Sequence, residues 1–293
     1  GLPGVQLDNT FDALYDEQAA DVYNVQLGMD LAGPLDLTLL RRAADQLMER
    51  HPNLRAGFLH EGLSVPVQVI PRRVSAPFSV HDVADAADPE AEAERLATAE
   101  QFERFDLRRA PLVRFTLLRL GPERHRLLVT NHHIITDGWS FPLIIQDLMA
   151  LYSGKATEPS VSPGQAWRQY ISWLSQQDAE AAVRAWREAL AGVAEPTRLA
   201  PTAELSEPVR PEQITTWLAE PLCESLAALA RRHGVTLNTV FQAAWGMTLA
   251  HFTGRDDITF GAMVTVRPTD VAGADSMVGL SINIVPVRVR LDH

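Results

Sequence analysis

Apolar residues recur with a period of two in one stretch and a helical period in the next, repeatedly along the chain, and that alternation limits the fold more than any other feature. Val22 to Leu31 (VYNVQLGMDL) alternates apolar and polar side chains and reads as a half-buried strand ended by Gly33-Pro34. Asp36 then caps a helix that aligns Leu37, Leu40, Ala44, Leu47 and Met48 on one face until Pro52 stops it. Val65 to Ile70 reads as the next strand, the Ala- and Glu-rich residues 85–105 as a helix, and Leu112 to Leu120 and Arg126 to Thr130 as strands joined at Gly121-Pro122. Phe141 to Tyr152 is a strongly apolar helix. A turn-rich segment, Ser153 to Gly164, follows it and reads as a linker.

Beyond the linker, Trp167, Tyr170, Ile171 and Leu174 share one side of a helix, and Val183, Trp186 and Leu190 share one side of another, from Ala179 to Ala191. Aromatic residues at this spacing are expected to face a core. A helix from Glu220 closes at Gly234, a second opens at Thr236 and closes at Gly254, and Ile258 to Val264 and Val278 to Leu291 read as β structure. Strand and helix alternate in both halves, so the expected class is α/β with two lobes of similar size, residues 1–160 and 161–293.

Charge narrows the partners. With 37 acidic and 26 basic residues the net charge is -11, and no run of Lys and Arg forms a stripe for phosphates, which argues against nucleic acid and against an anionic membrane surface. No apolar run approaches the ~20 residues that span a bilayer. The single cysteine, Cys223, leaves no internal disulfide and no cysteine-rich metal site, and the first residues lack a signal-peptide pattern, so a reducing cytoplasm is the expected location.

The chemistry concentrates in Asn131-His132-His133-Ile134-Ile135-Thr136-Asp137-Gly138, which leaves a strand and enters a loop. Histidine titrates near neutrality, so His133 is the candidate for exchanging a proton with a substrate. Asp137 is placed to take a hydrogen bond or pair with a basic group and so steady the loop. Gly138 permits a tight turn or the close approach of a substrate. Neighbouring side chains on extended backbone point to opposite faces, which makes His132 and His133 poor joint ligands for a metal and turns His132 inward as a brace.

As a whole, NHHIITDGWS resembles the HHxxxDG signature of the condensation domains of nonribosomal peptide synthetases, in the chloramphenicol acetyltransferase-like superfamily. Arg50-His51-Pro52-Asn53-Leu54-Arg55-Ala56-Gly57-Phe58 is similar to that family's RHxxLRxxF segment, Tyr170-Ile171-Ser172-Trp173 to its YxxW helix, and Val278-Gly279-Leu280-Ser281-Ile282-Asn283 to its VGxxxN segment. The resemblance implies a V-shaped pair of lobes, the second incomplete here, with the HHxxxDG loop at their junction. It implies substrates carried on the phosphopantetheine arms of upstream and downstream peptidyl carrier domains, beside a neighbouring adenylation domain, with no cofactor bound by the domain itself. In it the amine of an acceptor attacks a donor thioester, with His132, His133, Asp137 and Gly138 as the site. Asp137 would be paired with Arg267 in the VRP segment, and Trp139, Ser281 and Asn283 would border the substrate tunnel.

The chain departs from the family at Asp12, Val266, Ser281 and Ile284, where a His, a Gly, an aromatic and a Thr are usual, and FDALY resembles members that receive a D-configured upstream residue. An epimerisation domain, an acyltransferase using a coenzyme A thioester and a non-catalytic recruitment module share the fold and are the competing readings. Asp137-Gly138-Trp139-Ser140-Phe141 favours condensation over epimerisation, and the intact histidine motif speaks against recruitment alone.

Overall fold

The computed structural model describes residues 23–64, 66–157, 160–199 and 214–291; Asp12 lies outside them. Two compact units emerge, one built from the chain up to Gln177 together with Thr265–Asn283, the other from Asp178–Val264 together with residues from Ile284 onward. The helix after the Ser153–Gly164 segment therefore packs in the first unit, and the chain returns to that unit at Thr265.

A four-stranded sheet in the order β1-β6-β5-β4 centres the first unit. Strand β1 (Asn24–Ala32) runs antiparallel to β6 (Arg124–His132), which is antiparallel to β5 (Val113–Gly121), which is parallel to β4 (Phe78–Asp82). The two central strands are apolar on both faces because helices cover both. Phe115, Leu117, Leu127 and Val129 face Leu40, Ala44, Leu47 and Met48 of α1 (Leu37–Arg50) and Ile144 and Leu148 of α3 (Ser140–Tyr152). The alternate residues Leu118, Leu120 and Leu128 meet Ala93 and Ala97 of α2 (Pro89–Phe102). This parity follows from the two-residue period of a strand. It also carries the even positions Thr130 and His132 to the α2 side, where the Thr130 hydroxyl bonds Glu100.

Local signals set the helix ends where the sequence indicates. Asp36 accepts the amides of Thr38 and Leu39 at the start of α1, and Asp88 accepts that of Ala91 at the start of α2. The far end of α1 is closed by Arg55, which is buried and donates to the Met48 and Glu49 carbonyls and to Pro71, so the guanidinium satisfies helix-end acceptors at their negative pole. A two-stranded ladder of β2 (Gly57–Leu59) and β3 (Val67–Val69) lies beside the main sheet in sequence. Helix α4 (Pro163–Ser175) buries Trp167 and Tyr170 against Val271, Ala274 and Met277.

The second unit holds α5 (Ala179–Ala189), α6 (Glu220–His233), α7 (Leu237–Thr253) and most of a ladder of β7 (Asp257–Thr265) with β8 (Ile282–Arg290), whose ends at Thr265 and Ile282–Asn283 belong to the first. Gly234 and Gly254 take left-handed φ values of 65° and 67° as helix caps, and the Thr236 hydroxyl caps α7 through the Thr239 amide. Its described core is small: Leu249, Ala250 and Ile258, with Phe260 and Leu291 against them. The expectation that Trp186 faces a core is not met, since it is 40% exposed and α5 has no buried residue. This helix is held at its C-terminal end, where Arg288 donates to the carbonyls of Ala189 and Ala191. No helix among the described residues is long and apolar enough to cross a membrane.

Candidate active site

Strand β6 ends at His132, and its last backbone bonds decide where the two histidines go. The His132 amide donates to Leu112 at 3.0 Å and the His133 amide to Tyr23 at 2.7 Å, which holds the strand end between its neighbours until a 3-10 turn, His133–Ile135, takes over. His132 is fully buried, its ring 5.9 Å from that of Tyr23, and its Nδ1 accepts the Ile134 amide at 3.1 Å. An accepting Nδ1 leaves the neutral imidazole its proton on Nε2, so His132 braces the turn in one tautomer. His133 is half-buried, and its Nδ1 has no hydrogen-bond partner. Asn131 completes the turn by donating to the Thr136 hydroxyl at 2.5 Å.

Asp137 sits beneath this turn with 0% of its side chain exposed. One carboxylate oxygen accepts the Ser140 amide at 2.9 Å and the Ser140 hydroxyl at 2.7 Å, the other accepts the Ser281 amide at 3.0 Å, and both accept Nη2 of Arg267 at 3.0 Å. Arg267, 6% exposed, also donates through Nη1 to the carbonyls of Ala274 and Met277. Every acceptor position of the carboxylate is thus used, and among the described residues no hydrogen bond joins Asp137 to His133. Tyr170 lies in the same field: burial pushes its phenol up, the Arg267 charge pulls it back and the Asp137 charge adds to the rise.

Other motif segments converge on this ion pair through residues that spacing alone does not single out. The Ser140 hydroxyl, its proton on Asp137, accepts the Gly279 amide at 3.1 Å and lies 3.1 Å from the Gly279 carbonyl. Asn53 donates to the Val278 carbonyl at 2.7 Å and accepts from Gln68. Gly279 has to be glycine, since a Cβ there would stand 2.5 Å from the Trp167 ring and 2.6 Å from the Asn53 amide. His51, 1% exposed, reaches Asp147 of α3 at 2.7 Å, where Arg50 also lies at 3.1 Å. Burial raises the Asp147 carboxyl, but the His51 hydrogen bond and the charges of His51 and Arg50 outweigh it and hold the group below the usual carboxylate range.

Gly138 behaves differently from Gly279. It is exposed, its φ is not positive, and a Cβ built on it would meet nothing within 4 Å, so the fold itself does not demand glycine there. Of the two uses open to a glycine here, a tight turn and the close approach of a substrate, the backbone conformation does not call on the first. Trp139 is 55% exposed but fixed, its indole N–H donating to the Asp275 carbonyl at 2.9 Å. Ser281 is fully buried, with its backbone on Asp137, and Asn283 is exposed on β8. No cluster of three metal-ligating side chains occurs among the described residues.

This arrangement of motifs matches the Condensation domain family over residues 12–293. The chain belongs to that family. This condensation domain is 37% identical over 292 residues to a linear gramicidin synthase of Brevibacillus parabrevis, covering 96% of this chain and 4% of that protein. It is 33% identical over 294 residues to tyrocidine synthase 2 of the same organism, covering 99% and 8%. The domain thus spans less than a tenth of these relatives. Among solved structures, the first condensation domain of the calcium-dependent antibiotic synthetase superimposes with a TM-score of 0.76 at 23% identity, covering 100% of this chain and 69% of that one. The condensation domain of monacolin K polyketide synthase gives 0.77 at 22%, covering 99% and 67%. The mixed α/β fold is accordingly the chloramphenicol acetyltransferase-like one.

Proposed function

We propose that this condensation domain forms a peptide bond between a donor aminoacyl or peptidyl thioester and the amine of an acceptor amino acid, each delivered on the phosphopantetheine arm of a carrier domain. The observation that carries the reading is a half-buried His133 whose Nδ1 has no hydrogen-bond partner, on a turn followed by an exposed Gly138 whose missing side chain the fold does not require. An uncommitted histidine and open space a few residues further along the same loop are of use to something outside the chain. The acceptor nitrogen attacks the donor carbonyl, the C–N bond forms, the C–S bond breaks and the donor arm leaves as a thiol, taking up the proton that the amine gives up.

His133 stands at the amine in this scheme. A strong general base of the Ser-His-Asp kind has a carboxylate on the far side of its ring, holding the tautomer and stabilising the imidazolium. Asp137 is spent on Arg267, Ser140 and Ser281 instead. His133 therefore acts chiefly by accepting a hydrogen bond from the amine and orienting its lone pair, a positioning effect that in well-oriented systems reaches ~7 to 11 kcal/mol. His132, Asp137 and Arg267 keep the turn in shape and touch no substrate. Carrier domains on either side and an adenylation domain that loads them are the partners this activity requires.

A dipeptide-forming assay with two loaded carrier proteins tests the reading. Joined product on the acceptor arm supports it. Inversion of the donor residue without joining would replace it with epimerisation, and no chemistry on either thioester would leave a docking module.

A further inference from the structure

His133 lacks the carboxylate that commonly orients a catalytic imidazole, since its Nδ1 bonds nothing and Asp137 is engaged by Arg267, Ser140 and Ser281. The direction of the ring is therefore set through its backbone. Within its own turn the His133 carbonyl accepts the Thr136 amide at 3.3 Å, while the His133 amide crosses to the Tyr23 carbonyl at 2.7 Å. The shorter bond is the one that ties the turn to another strand, and it ends on the peptide that joins Tyr23 to Asn24.

Asn24 pairs with His132 at the first rung of the β1–β6 ladder, and its buried side chain reaches the end of α2. There its amide nitrogen donates to the carbonyls of Gln101 at 3.1 Å and Glu103 at 3.0 Å. Both lie at the C-terminal end of the helix, where no further helical N–H follows to satisfy them. The same helix is already fastened to the sheet without Asn24. Gln26 donates to the Ala97 carbonyl at 3.0 Å, and Arg114 donates to the Glu100 and Glu103 carbonyls at 2.6 Å each. What the two Asn24 bonds add is a fixed start to β1, one peptide away from the acceptor of His133.

The chemistry required at this position is narrow. Both N–H groups meet carbonyls, so a flipped amide would set oxygen against oxygen, which fixes the assignment of its two ends. Its Oδ1 is then buried with no partner, a cost that a side chain serving packing alone would avoid. Leucine has the same branched outline without the donors.

We propose that Asn24 is a positioning residue for His133: by anchoring the start of β1 to the end of α2 it fixes the Tyr23 carbonyl, hence the His133 amide and the aim of the imidazole. Its consequence for turnover rests on the condensation reading above; the anchoring does not.

The His133 amide can be followed directly. The chain has nine histidines, so protein labelled with 15N-histidine gives one amide signal for each, assigned by substituting them singly. In Asn24→Leu the His133 amide should exchange with deuterium at least about 10-fold faster, while that of His51, bonded to the Leu47 carbonyl, keeps its rate. Peptide formation from two loaded carriers should fall about 10-fold in kcat with KM for either carrier unchanged, as misalignment of a reacting group does. Asn24→Ser, too short to reach both carbonyls, is read in the same way should the leucine variant fail to fold. A His133 amide that keeps its exchange rate, equal loss of protection at His51 and His133, or a raised KM at unchanged kcat would overturn the proposal. A parent that joins no carrier-bound substrates while its His133 amide loosens on substitution loses the activity reading alone, whereas one that joins them with that amide unmoved loses the anchor alone.

Discussion

Replacing Asp137 with alanine tests whether the motif carboxylate holds structure or does chemistry. The variant loses the acceptor of five hydrogen bonds, from Nη2 of Arg267 to each oxygen, from the amide and hydroxyl of Ser140, and from the Ser281 amide. It also strands a guanidinium that is only 6% exposed. Removing one member of a buried pair is worth about 3 to 5 kcal/mol of destabilisation, most of it the desolvated charge left behind. For a protein somewhat larger than 250 residues each kcal/mol moves the melting point by about 2 to 4 °C, so Asp137→Ala should melt roughly 6 to 20 °C below the parent. The assay is thermal and urea denaturation of purified protein, with Arg267→Met and the double variant completing a cycle. The double variant should be markedly more stable than the sum of the single effects, because it removes the stranded partner. An Asp137→Ala protein that melts within about 2 °C of the parent while losing peptide formation would refute this reasoning and move the carboxylate into the chemistry.

Three further outcomes are expected. His133→Ala should reduce peptide formation by at least about 10²-fold with the melting point unchanged, since the ring is half-buried and its Nδ1 bonds nothing; turnover within a few-fold of the parent excludes His133 as the key group. Gly138→Leu should fold as stably as the parent, because its φ is not positive and its side chain meets open space, yet block turnover from carrier-bound substrates; full activity would mean that no substrate passes this residue. Asp147 sets an acid limit: its carboxyl is depressed in the folded state, so the stability it contributes is present above its unfolded value of about 3.9 and is lost as pH falls through the folded value. His51→Ala should flatten that loss in urea titrations taken from about pH 5 downward, and an unchanged acid slope would assign it to other groups.

Much of the chemistry was legible because it is contiguous. The strand read over Arg126 to Thr130 and found to run on to His132, the loop through His133 and the helix read from Phe141 and found from Ser140 follow from local signals to within two residues, as do the caps at Asp36, Thr236, Gly234 and Gly254. Resemblance supplied the pairing of Asp137 with Arg267, 130 positions apart, which no local pattern encodes. The central role of Ser140 was not legible, since a serine at a helix start reads as an ordinary cap until its hydroxyl is seen on Asp137 and Gly279.

Periodicity, capping chemistry and the order of motifs thus determined, from sequence alone, the main helices, the strands that lead to the motif and the loop that presents the histidines, but not β2 (Gly57–Leu59) or the edge strand β4 (Phe78–Asp82). Only the tertiary structure decided what each motif residue is for. It separated a glycine excluded from bearing a side chain by Trp167 and Asn53, Gly279, from one that is free to bear it, Gly138. It also left Trp186 exposed against its helical spacing and consumed the Asp137 carboxylate in an ion pair instead of on His133. The physical reason is range: backbone preference is settled by neighbours a few residues away, whereas close approach, burial and the partner of a charge depend on segments brought together from distant parts of the chain.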